Sequence, residues 1–140
     1  MGIRKAEIQD GDAISKLLNQ LNYPDTDAFI KKKLEKLLSH PDEELLVYED
    51  GGEVTAFISI HFIPQVALEG DFARISYFAV DSSIRSKGIG RELEEYCTEL
   101  AKERNCDRIE VHCHSRRIDA HRFYTRQGFT ESPKYFMKKL

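Results

Sequence analysis

The residues with the clearest chemical potential surround Gly88 and Gly90, where a β-rich run ending in Val80 gives way to a long amphipathic run. The first backbone N–H groups of a helix have no acceptor within it, and the helix dipole places about half a positive charge there. Such a helix end binds phosphate when side chains leave room for it. The two glycines remove Cβ atoms at this position, and Arg85 and Lys87 add positive charge. The loop is therefore a candidate phosphate-binding site.

The same two glycines have a simpler interpretation. A tight turn from a strand into a helix needs glycine for its geometry alone, so an isolated Gly-x-Gly leaves both interpretations open. Other phosphate motifs fit poorly. The chain has no G-x-x-x-x-G-K-[ST], and G-x-G-x-x-G fails because residue 93 is leucine.

The hydrophobic periodicity predicts one α/β domain over residues 1–140, with a mixed sheet flanked by helices. Turn signals such as Asp50-Gly51-Gly52 separate the runs. We predict strands at residues 3–8, 45–49, 54–63, 73–80 and 108–113, with two short strand-like pieces around Ser132-Pro133. We predict helices at residues 13–21, 28–38, 89–104 and 119–126.

Composition excludes several classes of function. The 21 Lys and Arg against 24 Asp and Glu give a formal net charge of -3, without the basic excess typical of nucleic-acid-binding domains. No apolar run approaches 18 residues and nothing resembles a signal peptide, so we expect a cytoplasmic protein without a membrane partner. Cys97, Cys106 and Cys113 lack paired metal-ligand spacing and are expected to be reduced thiols. His112 and His114 share a strand face from which Cys113 points away, so we expect no metal site.

Two segments together resemble the GNAT superfamily of N-acetyltransferases. Arg85-x-x-Gly88-x-Gly90, after a strand ending in Val80, resembles the coenzyme A loop of that family, [QR]-x-x-G-x-[GA]. Residues 120–129 look like the family's A-x-x-x-Y-x-x-x-G-[FY] segment and lie at the expected distance downstream. The order of elements is also similar over essentially all 140 residues.

The resemblance implies a fold, an activity and a set of site residues. The fold would be a mixed, mostly antiparallel sheet whose strands splay to admit coenzyme A, and the activity would be acetyl transfer from acetyl-CoA to a primary amine. Backbone groups of Phe78 and Val80 would pair with the pantetheine arm, and Tyr124 would protonate the departing thiolate. The residues implied to hold the pyrophosphate are Arg85, Ser86, Lys87, Gly88, Gly90 and Arg91.

The general base is where the chain departs from the family. An amine with a pKa near 10.4 is almost entirely protonated at pH 7, which lies about three units below that pKa. A base or a water relay should therefore receive its proton. Many relatives carry a glutamate on the strand before the coenzyme loop, where this chain has Ser76-Tyr77. The candidates in its place are His61, Glu69, Asp71 and Tyr77, with a water chain as the alternative.

The acceptor amine has several candidate classes. Residues 116–124 resemble the bacterial aminoalkylphosphonate N-acetyltransferase subgroup more than protein acetyltransferases, and the tail ends in a similar way. The anionic group of such a substrate could be bound by His61, Arg74, Arg116 or Arg117. An aminoglycoside or polyamine would instead need an acidic pocket, to which Glu69 and Asp71 could contribute. Protein N-termini or lysines are the third class.

Two hypotheses of other kinds remain. A catalytically idle acyl-CoA-sensing module would bind acetyl-CoA without turnover, and a nucleotide-binding α/β domain would prefer a nucleotide. The resemblance also implies that a homodimer is common, and a β-rich tail could pair across it.

Overall fold

A sheet of five strands organises the protein, whose structure, a computed structural model, describes residues 2–85, 87–115, 117–132 and 135–140. The strands lie side by side in chain order, with β1–β4 paired antiparallel and β4–β5 paired parallel. They are β1 (Gly2–Lys5), β2 (Glu43–Asp50), β3 (Glu53–Ile63), β4 (Asp71–Val80) and β5 (Cys106–Val111). The mixed, mostly antiparallel sheet predicted from the sequence is confirmed.

Helices cover both faces of this sheet. They are α1 (Gly11–Gln20), α2 (Ile30–Leu38), α3 (Ile89–Glu103) and α4 (Ile118–Arg126). Successive side chains of a strand point to opposite faces. Phe57 of β3 accordingly packs with Leu17 of α1, and its neighbour Ile58 packs with Leu93 of α3. In the described part of the chain, no helix combines the length and hydrophobicity needed to span a bilayer.

Three predicted elements differ from the structure. The strand predicted at residues 108–113 spans Cys106–Val111, so His112, Cys113 and His114 lie beyond it and do not share a strand face. The strand predicted at residues 3–8 ends at Lys5, because Asp10 turns the chain into a 3₁₀ turn at Ile8–Asp10 by accepting hydrogen bonds from the Arg4 guanidinium and the Glu7 N–H. The strands predicted in the tail are wrong for residues 129–132 and 135–140, which form none, while Pro133 lies outside the described residues. Tyr135 instead stacks on His112, with ring centroids 4.2 Å apart.

The Arg4–Asp10 pair gives a prediction about acid stability. The Arg4 hydrogen bonds hold the pKa of the buried Asp10 below its ordinary value of 3.8. A carboxyl with a depressed folded-state pKa stabilises the fold above its unfolded pKa, and this contribution is lost as the pH falls through the folded value. We expect Asp10→Asn to lower the free energy of unfolding by about 1–3 kcal/mol at pH 7 and by much less near pH 2.

Urea unfolding at both pH values measures this difference. Asp27→Asn, at an exposed aspartate, is the control and should change stability little at either pH. An equal loss for Asp10→Asn at both pH values would show that the ion pair is not responsible.

Candidate active site

The sheet opens between β4 and β5. Their parallel pairing runs from Asp71 opposite Cys106 to Ile75 opposite Val111, where β5 ends. β4 continues to Val80, paired with β3 on its other side. Residues 76–80 therefore present an edge of β4 that β5 does not cover.

Backbone polar groups of β4 point into this opening. The Asp81 N–H donates to the Thr55 carbonyl near the start of β3, at 2.8 Å. Because backbone groups alternate in direction along a strand, those of Phe78 and Val80 point away from β3, toward the open edge. The Arg85 Nε donates to the Val80 carbonyl from that side, at 3.4 Å. The edge is thus oriented as the predicted pairing of Phe78 and Val80 with an extended ligand requires.

The start of α3 adjoins the same edge. Gly88 precedes the helix with φ at +82°, and its carbonyl accepts the Glu92 N–H at 3.0 Å. Because this is the first bond of the helical pattern, the N–H groups of Ile89, Gly90 and Arg91 have no acceptor within the helix. The side chains of Arg85, Lys87 and Arg91 are exposed around them, while Ser86 lies outside the described residues. The arrangement can bind an anion.

The two glycines of this loop have different surroundings. A Cβ at Gly88 would meet nothing within 4 Å, but a Cβ at Gly90 would lie 3.4 Å from the Phe123 ring and 3.7 Å from the Val80 side chain. Both glycines were expected to clear space for phosphate. Space alone would therefore allow a Cβ at both positions, and the expected role of the two glycines beside a phosphate stays a prediction.

Tyr124 lies on α4 within an aromatic group. Its ring meets those of Phe123 and Phe129 at centroid distances of 5.3 Å and 5.4 Å, and Phe123 meets Phe78 at 5.7 Å. Burial raises the pKa of Tyr124 above 10, and the nearby Cys113 acts in the same direction. The phenol is therefore protonated at neutral pH and can donate. Tyr124 therefore lies near Cys113, which follows β5, and its neighbour Phe123 contacts Phe78 at the open edge of β4.

A buried carboxylate ties α4 to α3. Glu94 is 3% exposed, and it accepts hydrogen bonds from Gln127 Nε2 and from the Thr98 hydroxyl, each at 2.6 Å. Gln127 follows the last turn of α4, so this pair fixes the end of the helix that carries Tyr124. Glu94 is not predictable as a buried residue from the sequence, because it stands among the acidic residues at the start of an amphipathic helix.

Comparison with known proteins identifies the family. The family model described as the acetyltransferase (GNAT) family matches residues 12–129. The chain belongs to the GNAT acetyltransferases. The resemblance stated from the two sequence segments, and the enzyme class that it implied, are confirmed.

Individual proteins similar to this GNAT acetyltransferase are themselves named as acetyltransferases. The chain is 29% identical to an aminoalkylphosphonate N-acetyltransferase of Salmonella typhimurium, over 99% of the chain and 90% of that protein. A glucosamine-6-phosphate N-acetyltransferase from Arabidopsis thaliana is 26% identical and superposes with a TM-score of 0.84, covering 98% and 96% of the two chains. A GNAT family acetyltransferase from Staphylococcus aureus is 25% identical, with a TM-score of 0.82 over 100% of both chains.

A polar cluster lies on the other face of the sheet from α3. Glu43, Ser59, His61 and Ser76 form it, from three adjacent strands. Ser76 is an extra residue in β4, since Ser59 pairs with Tyr77 while the next residue of β3 pairs with Ile75. The bulge occurs where the sheet of this GNAT acetyltransferase opens. Sequence reasoning found His61 but not Glu43 or Ser59.

The other candidate residues for the base and the substrate are distributed along β4. Tyr77 is exposed beside the bulge, edge-on to Tyr23 at 5.2 Å. Arg74 pairs with Glu110 of β5 at 3.0 Å. Asp71 begins β4, about 17 Å along the strand from Ser76, and the exposed Glu69 precedes it. The structure thus brings His61, Arg74 and Tyr77 to the opening but not Glu69 or Asp71.

The two arginines before α4 complete the set of candidates. Arg117 directly precedes α4, and it opposes the rise in the pKa of Tyr124. Arg116 lies outside the described residues.

Proposed function

We propose that this GNAT acetyltransferase transfers an acetyl group from acetyl-CoA to the primary amine of a small molecule, with an aminoalkylphosphonate as the first candidate. One observation carries the proposal: the uncovered edge of β4 leads directly to the free N–H groups that begin α3. An acyl-pantetheine is an extended chain with amide groups, and a pyrophosphate follows it. The edge and the helix start suit these two parts in the same order.

Three sets of residues would hold acetyl-CoA. The backbone groups of Phe78 and Val80 would pair with the pantetheine amides. The N–H groups of residues 89–91 would bind the pyrophosphate, since the open space beside Gly88 lets an anion come close. The exposed cations Arg85 and Lys87 would add charge on the same side.

Tyr124 would assist the leaving thiolate. A thiol has a pKa near 8.5 and a free tyrosine one near 10, so full proton transfer is uphill by about 2 kcal/mol even without a shift. Burial raises the pKa of Tyr124 further. A hydrogen bond with partial proton transfer is therefore the role that its environment favours.

The charges beside the opening support an acceptor that carries an anion. Arg74 lies opposite His61 in the register, and its side chain is 38% exposed while Nη2 pairs with Glu110. A phosphonate or phosphate would bind the accessible part of this guanidinium. The two relatives named for their substrates both acetylate amines that bear such a group, to judge from those names. An acidic pocket for a polycation receives less support, because Glu69 and Asp71 lie at the far end of β4.

A thiol-release assay with matched amines tests this assignment. We expect turnover with 2-aminoethylphosphonate at a KM at least about tenfold below that of ethanolamine, which has the same amine without the anion, since a charged hydrogen bond contributes about 1.5–3 kcal/mol. Arg74→Gln should raise the KM for the phosphonate and leave that for ethanolamine unchanged.

Arg108→Gln is the control, because this arginine is exposed and pairs with Asp107. Preference for polyamines, aminoglycosides or peptides in the same assay would refute the phosphonate assignment alone. Saturable binding of acetyl-CoA with no turnover of any amine would favour a sensing module instead.

A further inference from the structure

The polar cluster on the face opposite α3 is a ring of four side chains, joined by three hydrogen bonds and one close contact between His61 and the Glu43 carboxylate. His61 Nδ1 lies 2.6 Å from Glu43 Oε2, and His61 Nε2 lies 3.0 Å from the Ser76 hydroxyl. The Ser76 hydroxyl donates to Ser59 Oγ at 3.1 Å, and the Ser59 hydroxyl donates to Glu43 Oε1 at 2.6 Å. Every neighbouring pair in the ring is thus close enough to pass a proton.

The ring runs from the interior to the surface. The Glu43 side chain is 1% exposed, whereas that of His61 is 34% exposed and Ser76 is also exposed. Among the described residues, Glu43 Oε2 accepts no hydrogen bond, although His61 Nδ1 lies 2.6 Å from it. A buried carboxyl held in this way costs stability, so packing alone does not explain its presence.

The position of Ser76 connects the ring to the reaction. Ser76 is the bulged residue of β4, next to the last residue that pairs with β5 and two residues before Phe78. The coenzyme loop leads into α3, which packs on one face of the sheet, while Ser59 and His61 lie on the other. An amine that approaches from this second face would meet Ser76 before it reached the opening.

We propose that Glu43 and His61 act as one base, which takes the proton of the substrate ammonium through the hydroxyl of Ser76. This inference rests on the proposed acetyl transfer and supplies the base that the family's glutamate would otherwise provide.

The reactive form has Glu43 ionised and His61 neutral, with a free lone pair on Nε2. The Ser76 hydroxyl first turns from Ser59 Oγ to His61 Nε2, which lies 3.0 Å away. The ammonium then gives one proton to Ser76 Oγ as this hydroxyl passes its own proton to His61 Nε2. The amine nitrogen then forms the bond to the thioester carbon and the carbon–sulfur bond breaks. The amide keeps one of the three ammonium protons, the thiol gains one, and the pair releases the third to water past the exposed part of His61.

The electrostatic surroundings suit this role. Burial raises the pKa of Glu43 to about 8. The hydrogen bond from Ser59 acts to lower this pKa, and the charge of Glu44 on β2 acts to raise it. Burial also lowers the pKa of His61, together with the charges of His40 before β2 and Arg74 on β4. The pair therefore holds one proton at neutral pH. A base with a pKa near 8 has a pKa about 2.4 units below that of an amine at 10.4, whereas the pKa of free imidazole is about 4 units below that of the amine.

The test is the pH dependence of kcat/KM for the amine at saturating acetyl-CoA, in wild type and Glu43→Gln. In wild type we expect kcat/KM to rise with pH, with a midpoint near pH 8. Deprotonation of the free amine adds a second rise at higher pH, which all variants share. In Glu43→Gln only His61 remains as the base, so the midpoint should fall by more than one pH unit. The rate should drop about tenfold at pH 9 and change little at pH 7, because a weaker base is more often unprotonated.

Three further measurements separate the relay from a structural role. Glu53→Gln, the same change at an exposed glutamate of β3, should keep the midpoint of wild type. Ser76→Ala should lower kcat about tenfold without raising the KM for acetyl-CoA. In ¹⁵N-histidine spectra, His61 should report a transition near pH 8 in wild type that Glu43→Gln removes, whether or not substrate is present.

The outcomes are distinguishable. A wild-type midpoint in folded Glu43→Gln, or wild-type kcat in Ser76→Ala, would overturn the relay while leaving acetyl transfer intact. The absence of wild-type turnover with every amine would overturn the proposed function and the relay with it.

Discussion

Replacing Tyr124 by phenylalanine is expected to lower kcat by about 10²–10⁴ and to leave the affinity for acetyl-CoA within about twofold, the range for loss of a general acid. The ring itself packs between Phe123 and Phe129, and phenylalanine preserves those contacts. Only the hydroxyl is lost, so the departing thiolate must leave without a donor. Thiol release gives kcat, and calorimetric titration gives the affinity.

Tyr96→Phe is the matched control for this variant. Tyr96 is 45% exposed on α3, so loss of its hydroxyl should change neither quantity. An unchanged kcat in Tyr124→Phe would remove Tyr124 from the mechanism, and a large loss of acetyl-CoA affinity would assign it to binding instead.

Replacing Gly88 by valine is expected to weaken acetyl-CoA binding by about 10²-fold, since one or two charged hydrogen bonds of about 1.5–3 kcal/mol each would be lost. Gly88 has φ at +82°, a backbone conformation that costs a β-branched residue about 1–2 kcal/mol. The branched side chain would also fill the open space through which an anion reaches the N–H groups of α3. Calorimetry with acetyl-CoA measures the loss.

Gly51→Val separates strain from binding. Gly51 lies in the turn between β2 and β3 with φ at +58°, and nothing lies within 4 Å of its Cβ position. This variant should lose similar stability in urea unfolding but bind acetyl-CoA as wild type does. If both variants bound acetyl-CoA equally well, the start of α3 would not be the coenzyme site.

The elements that carry strong local signals were predictable from the sequence. The stripe from Ile89 through Leu93 to Cys97 has helical spacing, and α3 follows it. Asp50-Gly51-Gly52 signalled the hairpin, and both glycines have positive φ. The three cysteines are free, as predicted.

The features that depend on pairing between distant segments were not predictable in this way. Glu43 looks like a surface acid at the start of a strand, and only the neighbouring β3 buries it. The bulge at Ser76 depends on the register between β3 and β4, which no local pattern encodes. The contact between Gly90 and Phe123 likewise joins residues more than 30 positions apart along the chain.

The most direct test of the proposed coenzyme site is a residue-resolved amide titration with acetyl-CoA, followed by ¹H–¹⁵N spectra. We expect saturable shifts that are largest at Phe78, Val80 and residues 87–91, where the open edge of β4 meets the start of α3. Shifts concentrated at the other end of β4, around Asp71, or no saturable change at all, would contradict acetyl-CoA binding at this opening.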